Sequence, residues 1–393
     1  MKFVIDPRLS HLDEAELAAL AERYFVGERV GDLVREYRLQ CTPNQLYRLI
    51  PPRILLDHNC EACGAPLIQV RRAAGALSLG LDATRCSACR HRVNGSCRCD
   101  ACEAKKRQRV QAEITRQRAE VEAYCRGRWD YREVQHNPED LSVNTAVALL
   151  ALVRSGGWLS DTSVGRIDAS GIPFAPEGPL GDNLLATLVS SGLVAPALDS
   201  PMDAFETTST SMQVFTDRVH WRILAASPML LVRQLEQLCK FGEWPDAWDN
   251  DIAELQLALA VAECREFADF CLTERGLPAV GHHAAEVLFK NLLTDFAVSQ
   301  CFRIIWSGAM ASVDFIARTG SSRRHASNFF VGACQRWADR ARTDGWIIKP
   351  GFRNGRRPRS QLSHVLNDVF FGIGERGFNE PLRAFSMNLQ HLT

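Results

Sequence analysis

The chain has 393 residues, 46% of them apolar and 23% charged, and its 46 Lys and Arg balance 46 Asp and Glu. That length and composition suit two or three folded domains and exclude a wholly disordered, collagenous or membrane-bundle protein. Apolar runs such as Ala146 to Val153 fall well short of the ~18 residues of a membrane span, and the opening Met-Lys-Phe-Val-Ile-Asp lacks a signal core, so a cytoplasmic protein without membrane contact is expected.

Residues 1–55 read as three helices. The first runs from about Asp13 to Phe25, with Leu17, Leu20 and Tyr24 on one face, and Gly27 ends it. The second, about Val30 to Tyr37, has Val30, Leu33, Val34 and Tyr37 at i, i+3, i+4, i+7. The third starts with Thr42 as N-cap and Pro43 in first position and stops at Ile50 before Pro51-Pro52. Gly27, Val30 and Leu33 in a G-x-x-V-x-x-L helix, followed by a capped second helix, resemble the helix-turn-helix of resolvases and transposases. The turn Arg38-Leu39-Gln40-Cys41 departs from that pattern in having no glycine. The resemblance spans about 25 residues and implies a DNA-reading third helix. With Leu46 and Ile50 inward, Asn44, Gln45, Tyr47 and Arg48 face outward, where Asn or Gln suits adenine and Arg suits guanine. Net charge over residues 1–59 is −1, which favours a bundle for protein contact instead.

Residues 56–103 form a cysteine-rich block. Cys60-x2-Cys63 and Cys86-x2-Cys89 are followed by His91, Cys97, Cys99 and Cys102. A CxxC turn puts two thiolates on one edge of a tetrahedron, and a second pair completes it. Eight ligands suffice for two closed, structural Zn²⁺ sites. The sequential assignment is Cys60, Cys63, Cys86 and Cys89 for one, and His91, Cys97, Cys99 and Cys102 for the other. The interleaved alternative joins Cys60 and Cys63 to Cys99 and Cys102. A small hairpin is expected between Val70 and Leu81. Arg85, Arg90, Arg92 and Arg98 would form a basic surface, touching phosphates or balancing thiolate charge. The remaining cysteines, such as Cys239 and Cys334, sit in apolar helical contexts and read as buried thiols.

Residues 104–135 read as a charged spacer helix. Residues 136–214 carry an apolar helix, Val143 to Leu152, a Gly/Pro-rich stretch and a second helix from Leu184, a pattern loosely like a winged-helix module. Residues 215–393 read as a helical domain. Within it, residues 318–359 hold eleven basic and two acidic side chains. In a helix from Arg323 to Arg342, Ala326, Phe330, Ala333, Cys334, Trp337 and Ala341 share a stripe, while Arg324 and Arg336 lie off it. The following Phe352-Arg-Asn-Gly-Arg-Arg-Pro-Arg359 reads as a phosphate clamp built from Arg353, Arg356, Arg357 and Arg359.

Enzyme signals are thin. His282-His283-x-x-Glu286 lacks metalloprotease spacing, and Asp249, Asp251 and Glu254 suit a helix N-terminus. The chain is therefore expected to be mainly α: a helix-turn-helix, a two-zinc module, a spacer helix, a winged-helix-like module and a helical domain. The expected work is non-catalytic DNA binding, as a prokaryotic regulator or an accessory subunit of a mobile-element or phage-defence system. The competing expectations are a scaffold that holds protein partners through its acidic helical half, and a nucleic-acid-processing enzyme such as a nuclease.

Overall fold

A computed structural model describes residues 5–69, 84–93, 97–176, 178–208 and 211–385. The chain divides into two units, Met1–Arg118 and Ala119–Thr393. The hairpin expected between Val70 and Leu81 lies outside the described residues.

In the first unit, α1 (Glu14–Val26) begins at a capping box in which Asp13 accepts from the Glu16 N–H and Glu16 from the Asp13 N–H. It ends at Gly27 with φ 90, a left-handed residue that closes the last carbonyls. After α2 (Val30–Glu36) the chain reverses at Arg38, whose φ of 48 is left-handed without glycine. That conformation costs about 1–2 kcal/mol, so the reversal is held by packing around buried Leu39. The third expected helix is shorter than its sequence suggests. Thr42 caps a 3-10 turn, Pro43–Gln45, which runs into a four-residue α3 (Leu46–Leu49). Leu9, Leu20, Leu33, Leu39, Leu46, Leu49 and Ile50 fill the core between these elements.

Three short antiparallel strands follow, β1 (Arg53–Asn59), β2 (Pro66–Gln69) and β3 (Thr84–Cys86), in the order β1-β2-β3. Their own core is small, consisting of Cys60, Leu67 and Cys86 with partly buried Leu55, Ala65 and Cys89. A sheet with so little apolar burial needs another source of stability. The 29-residue α4 (Asp100–Arg128) is polar on most of its surface, with buried Val121 and Cys125 near its end. Pairs at i, i+3 or i+4 spacing, Glu103–Arg107, Glu113–Arg116 and Glu122–Arg126, line it.

The second unit has two cores. The first surrounds α5 (Val143–Gly156), in which eight consecutive residues from Thr145 to Leu152 are buried. Around it lie α6 (Gly178–Ser190), α7 (Pro228–Phe241) and a sheet of β4 (Ser163–Val164), β8 (Trp221–Ile223) and β5 (Val194–Pro196), in the order β4-β8-β5. A hairpin of β6 (Phe205–Thr207) and β7 (Met212–Val214) is inserted between β5 and β8. The second core is a cluster of helices: α9 (His282–Leu293), α10 (Val298–Thr319) and α11 (Arg323–Asp344). α8 (Trp248–Thr273) belongs to both. Its Trp248, Ile252, Leu255 and Leu259 pack in the first, and its Ala260, Cys264, Ala268 and Leu272 in the second. A short α12 (Gln361–His364), a π-helical turn at Val365–Phe370 and α13 (Arg376–Asn379) close the described chain.

Candidate metal centre and basic surfaces

The two CxxC pairs sit in tight turns at one end of the small sheet. Cys60 and Cys63 lie between β1 and β2, where Gly64 has φ 71. Cys86 ends β3 and Cys89 follows it, where Arg90 has φ 58. Pairing of Leu67 with Cys86 across β2 and β3 brings the turns together. Cys60 Sγ lies 3.6 Å from Cys89 Sγ, and Cys63 Sγ lies 3.4 Å from Cys86 Sγ. A zinc tetrahedron with four sulfurs has edges of about 3.8 Å, as zinc–sulfur bonds of about 2.3 Å require. Backbone N–H groups already aim at the sulfurs: Ala62 donates to Cys60, and Ala88 and Cys89 to Cys86. Burial pushes the Cys86 thiol up, but the N–H donors outweigh it and bring it down to about 6. Burial pushes Cys60 in the opposite direction, upward.

The second group is built on the start of α4. His91 Nδ1 lies 3.1 Å from Cys102 Sγ and 3.7 Å from Cys99 Sγ, around the ~3.5 Å edge that a zinc bound by nitrogen and sulfur demands. Cys97 accepts from the Arg92 and Cys99 N–H groups. The Arg92 donor outweighs burial and lowers that thiol to about 6. Within each group all four candidate ligand atoms lie within 4.8 Å of one another, and among the described residues these are the two groups able to hold a metal. The grouping is sequential, not interleaved. All eight residues fit zinc: the thiols are free, and N–H donors stabilise charge on the sulfurs. Four protein ligands per ion leave no open coordination position, which is the mark of a structural site. The other motifs do not gather into metal groups. His282 instead meets Arg265, with their nitrogens 2.6 Å apart, and Asp249 accepts from the indole of Trp244.

The arginines beside the metal groups are exposed. Arg90, Arg92 and Arg98 line a cleft of about 560 Å³ together with Cys89, Cys97, Cys99 and Asp100. No ion pair between Arg85, Arg90, Arg92 or Arg98 and a carboxylate is found among the described residues.

In the front helices, Asn44, Gln45 and Arg48 are exposed and Tyr47 is half-buried. Gln45 is partly engaged, since its side-chain oxygen accepts from the Thr42 N–H. Arg48 folds back on Tyr47, donating to its hydroxyl at 2.8 Å. Two other cations of this region are paired internally, Arg23 with Glu28 and Glu36, and Arg35 with Asp32.

The C-terminal clamp expected from sequence is not a free cationic loop. Arg353 donates to both oxygens of buried Glu263 at 2.9 and 3.0 Å and lies over the ring of Phe378. Arg359 is 10% exposed and bonds Asp368 at 2.7 Å and Glu375 at 3.4 Å. Arg356 and Arg357 approach Glu274 and Glu266 at 3.8 and 3.7 Å. The loop is fastened to α8 and the segments after α12 by the chain's own carboxylates, acids too distant along the chain for the local density of positive charge to reveal. Arg324 is exposed as expected, and Arg336 lies 4.8 Å over the ring of Phe329. Trp337, placed by its spacing on the buried stripe of α11, is 40% exposed. Arg303 and Trp306, at i, i+3 on α10, are exposed neighbours that the sequence reading did not single out.

No protein-family model, curated protein or solved structure matches the chain.

Proposed function

We propose that this is a nucleic-acid-binding protein without catalytic function, whose first unit grips the phosphates of duplex DNA on a zinc-held arginine platform. One observation carries the reading. Four exposed arginines, at 85, 90, 92 and 98, lie within a few residues of six of the eight candidate metal ligands and lack carboxylate partners among the described residues. Cations that a fold leaves unneutralised around a cleft are suited to a polyanion. Zinc substitutes for the apolar core that the small sheet lacks, and so fixes the backbone that carries them. The front helices adjoin this platform in sequence. Their short α3 spans only about 6 Å, and this length favours Asn44 and Arg48 as auxiliary contacts over a full groove-reading helix.

The helix, strand and hairpin order of residues 143–223 is similar to that of a winged helix. Its α6 carries Asp182 and neither Lys nor Arg, so duplex contact is not assigned to it. The loop at Arg353–Arg359 is likewise left out of the interface, because its charges are matched within the chain.

The test is retention of the full chain on duplex DNA across a salt series. Arg90→Gln, Arg92→Gln and Arg98→Gln together should flatten the log–log salt slope by about 0.9 for each phosphate no longer neutralised. Arg356→Gln with Arg357→Gln should leave it unchanged. A slope indifferent to the first set would remove the platform from the interface.

A further inference from the structure

α10 and α11 pack as antiparallel neighbours. Phe315 stacks on Phe329, Gly308 abuts Phe330 and Cys334, and Cys334 donates to the Ile304 carbonyl, so rising numbers on one helix meet falling numbers on the other. The flank of α11 that carries Gln335 and Arg342 meets Asn291 of α9 and Asp295 just after it. At about 100° per residue, Trp337 and Arg340 project from the opposite flank. On α10, Phe302 stacks on Phe267 of α8 with centroids 4.0 Å apart, while Arg303, Trp306 and Met310 are exposed. Met310 accepts from Arg275 just past α8. The loop after α11 returns to the start of α10, where Gly351 donates to the Ser299 carbonyl and Gln300 to that of Ile348, so Arg303 and Trp346 sit on adjoining segments.

The combined face is unusual in chemistry. Trp306, Trp337 and Trp346 are 42%, 40% and 46% exposed. Arg303 lies 5.1 Å over the ring of Trp306, and Arg340 lies 5.7 Å over that of Trp346. Trp337 and Trp346 meet edge to face at 6.3 Å. Among the described residues none of Arg303, Arg336 and Arg340 forms an ion pair with a carboxylate, in contrast to Arg353, Arg356, Arg357 and Arg359. The acids on these outward faces, Asp314 and Asp344, lie toward the C-terminal ends of the two helices.

An exposed indole beside an unneutralised guanidinium can take a flat ring and an anion together. A duplex offers phosphates but hides its base faces, and an apolar protein surface would leave three cations without partners. We infer that this face binds single-stranded nucleic acid, with bases stacking on Trp306, Trp337 and Trp346 and phosphates held by Arg303, Arg336 and Arg340. The inference extends the nucleic-acid reading to the second unit and uses none of the zinc-block residues, so the two stand or fall separately.

The test uses zinc-loaded full chain, a dye-labelled oligo-dT of about 20 nucleotides, long enough for the ~4–16 nucleotides of a typical single-strand site, and a duplex control. Trp337→Ala and Trp346→Ala should each weaken oligo-dT binding about five- to 150-fold, as loss of one stacked base predicts. Duplex binding should be unchanged. Trp337→Phe should recover most of the loss, and Arg303→Gln with Arg340→Gln should weaken binding and lower its salt dependence. Arg90→Gln, Arg92→Gln and Arg98→Gln should weaken duplex binding and spare oligo-dT. Parent protein that fails to bind oligo-dT, or tryptophan variants that bind it as tightly as the parent, would overturn the inference. Alanine variants that lose self-association or a co-purifying protein while holding oligo-dT unchanged would make the face a protein contact and also overturn it.

Discussion

Cys86 and Cys97 have matching surroundings in the two ligand groups, each receiving two backbone N–H bonds. Such donors lower the cost of holding a thiolate, which is the form that binds metal. Elemental analysis of the purified chain should give about two zincs, and Cys86→Ser should reduce this to about one; an unchanged count would break the first ligand set. At Glu263 the opposite problem is solved. This carboxylate is buried and bonded twice by Arg353. Glu263→Gln leaves the arginine poorly compensated and should destabilise the second unit by about 3–5 kcal/mol, readable in urea melts. The contrast explains what was legible in sequence. The candidate metal ligands follow one another at short intervals within Cys60–Cys63 and Cys86–Cys102, so spacing alone displayed their chemistry. Arg353 has its partner 90 residues away, and no local pattern points to it.

Among the elements, α10 and α11 approach closely in the second core at Gly308. A Cβ there would overlap Cys334 Sγ and press on Phe330. Gly308→Ala should cost about 1–3 kcal/mol through overpacking, despite alanine's better helix propensity, and a combined change with Cys334→Ala should recover part of it in thermal melts. The periodicity of α11 was readable for Ala326, Phe330, Ala333, Cys334 and Ala341, all buried. It failed for Trp337, whose direction at 100° per residue falls between those of buried Phe330 and Ala326 although its ring is 40% exposed. Helix periodicity reports a direction, whereas burial also depends on how far the neighbour extends. The third front helix was overread for a related reason. Thr42 and Pro43 mark a helix start, but Pro51 and Pro52 end the segment before more than a single α turn can follow the 3-10 turn.

For the molecule as a whole, the two units draw stability from different sources. The first has two small apolar clusters and eight residues able to hold metal, and the second has two extended apolar cores. A strong chelator should therefore unfold the cysteine block, with loss of protection in amide exchange over residues 53–69 and 84–93, while the second unit keeps its melting temperature. Simultaneous loss of both would refute this division. The mainly helical character and the ligand block were plain from sequence. The charge distribution was also plain as a sum, though not as a surface, since much of the cationic C-terminal segment faces carboxylates of α8 and the chain's end.

The double membership of α8 has a consequence for how the second unit comes apart. One continuous rod forms a wall of both apolar interiors, so neither can loosen without unseating a surface of the other. Proteolytic trimming or gene truncation that severs Trp248–Thr273 would strip two oily interiors at once and yield aggregating halves, rather than a pair of tidy subdomains.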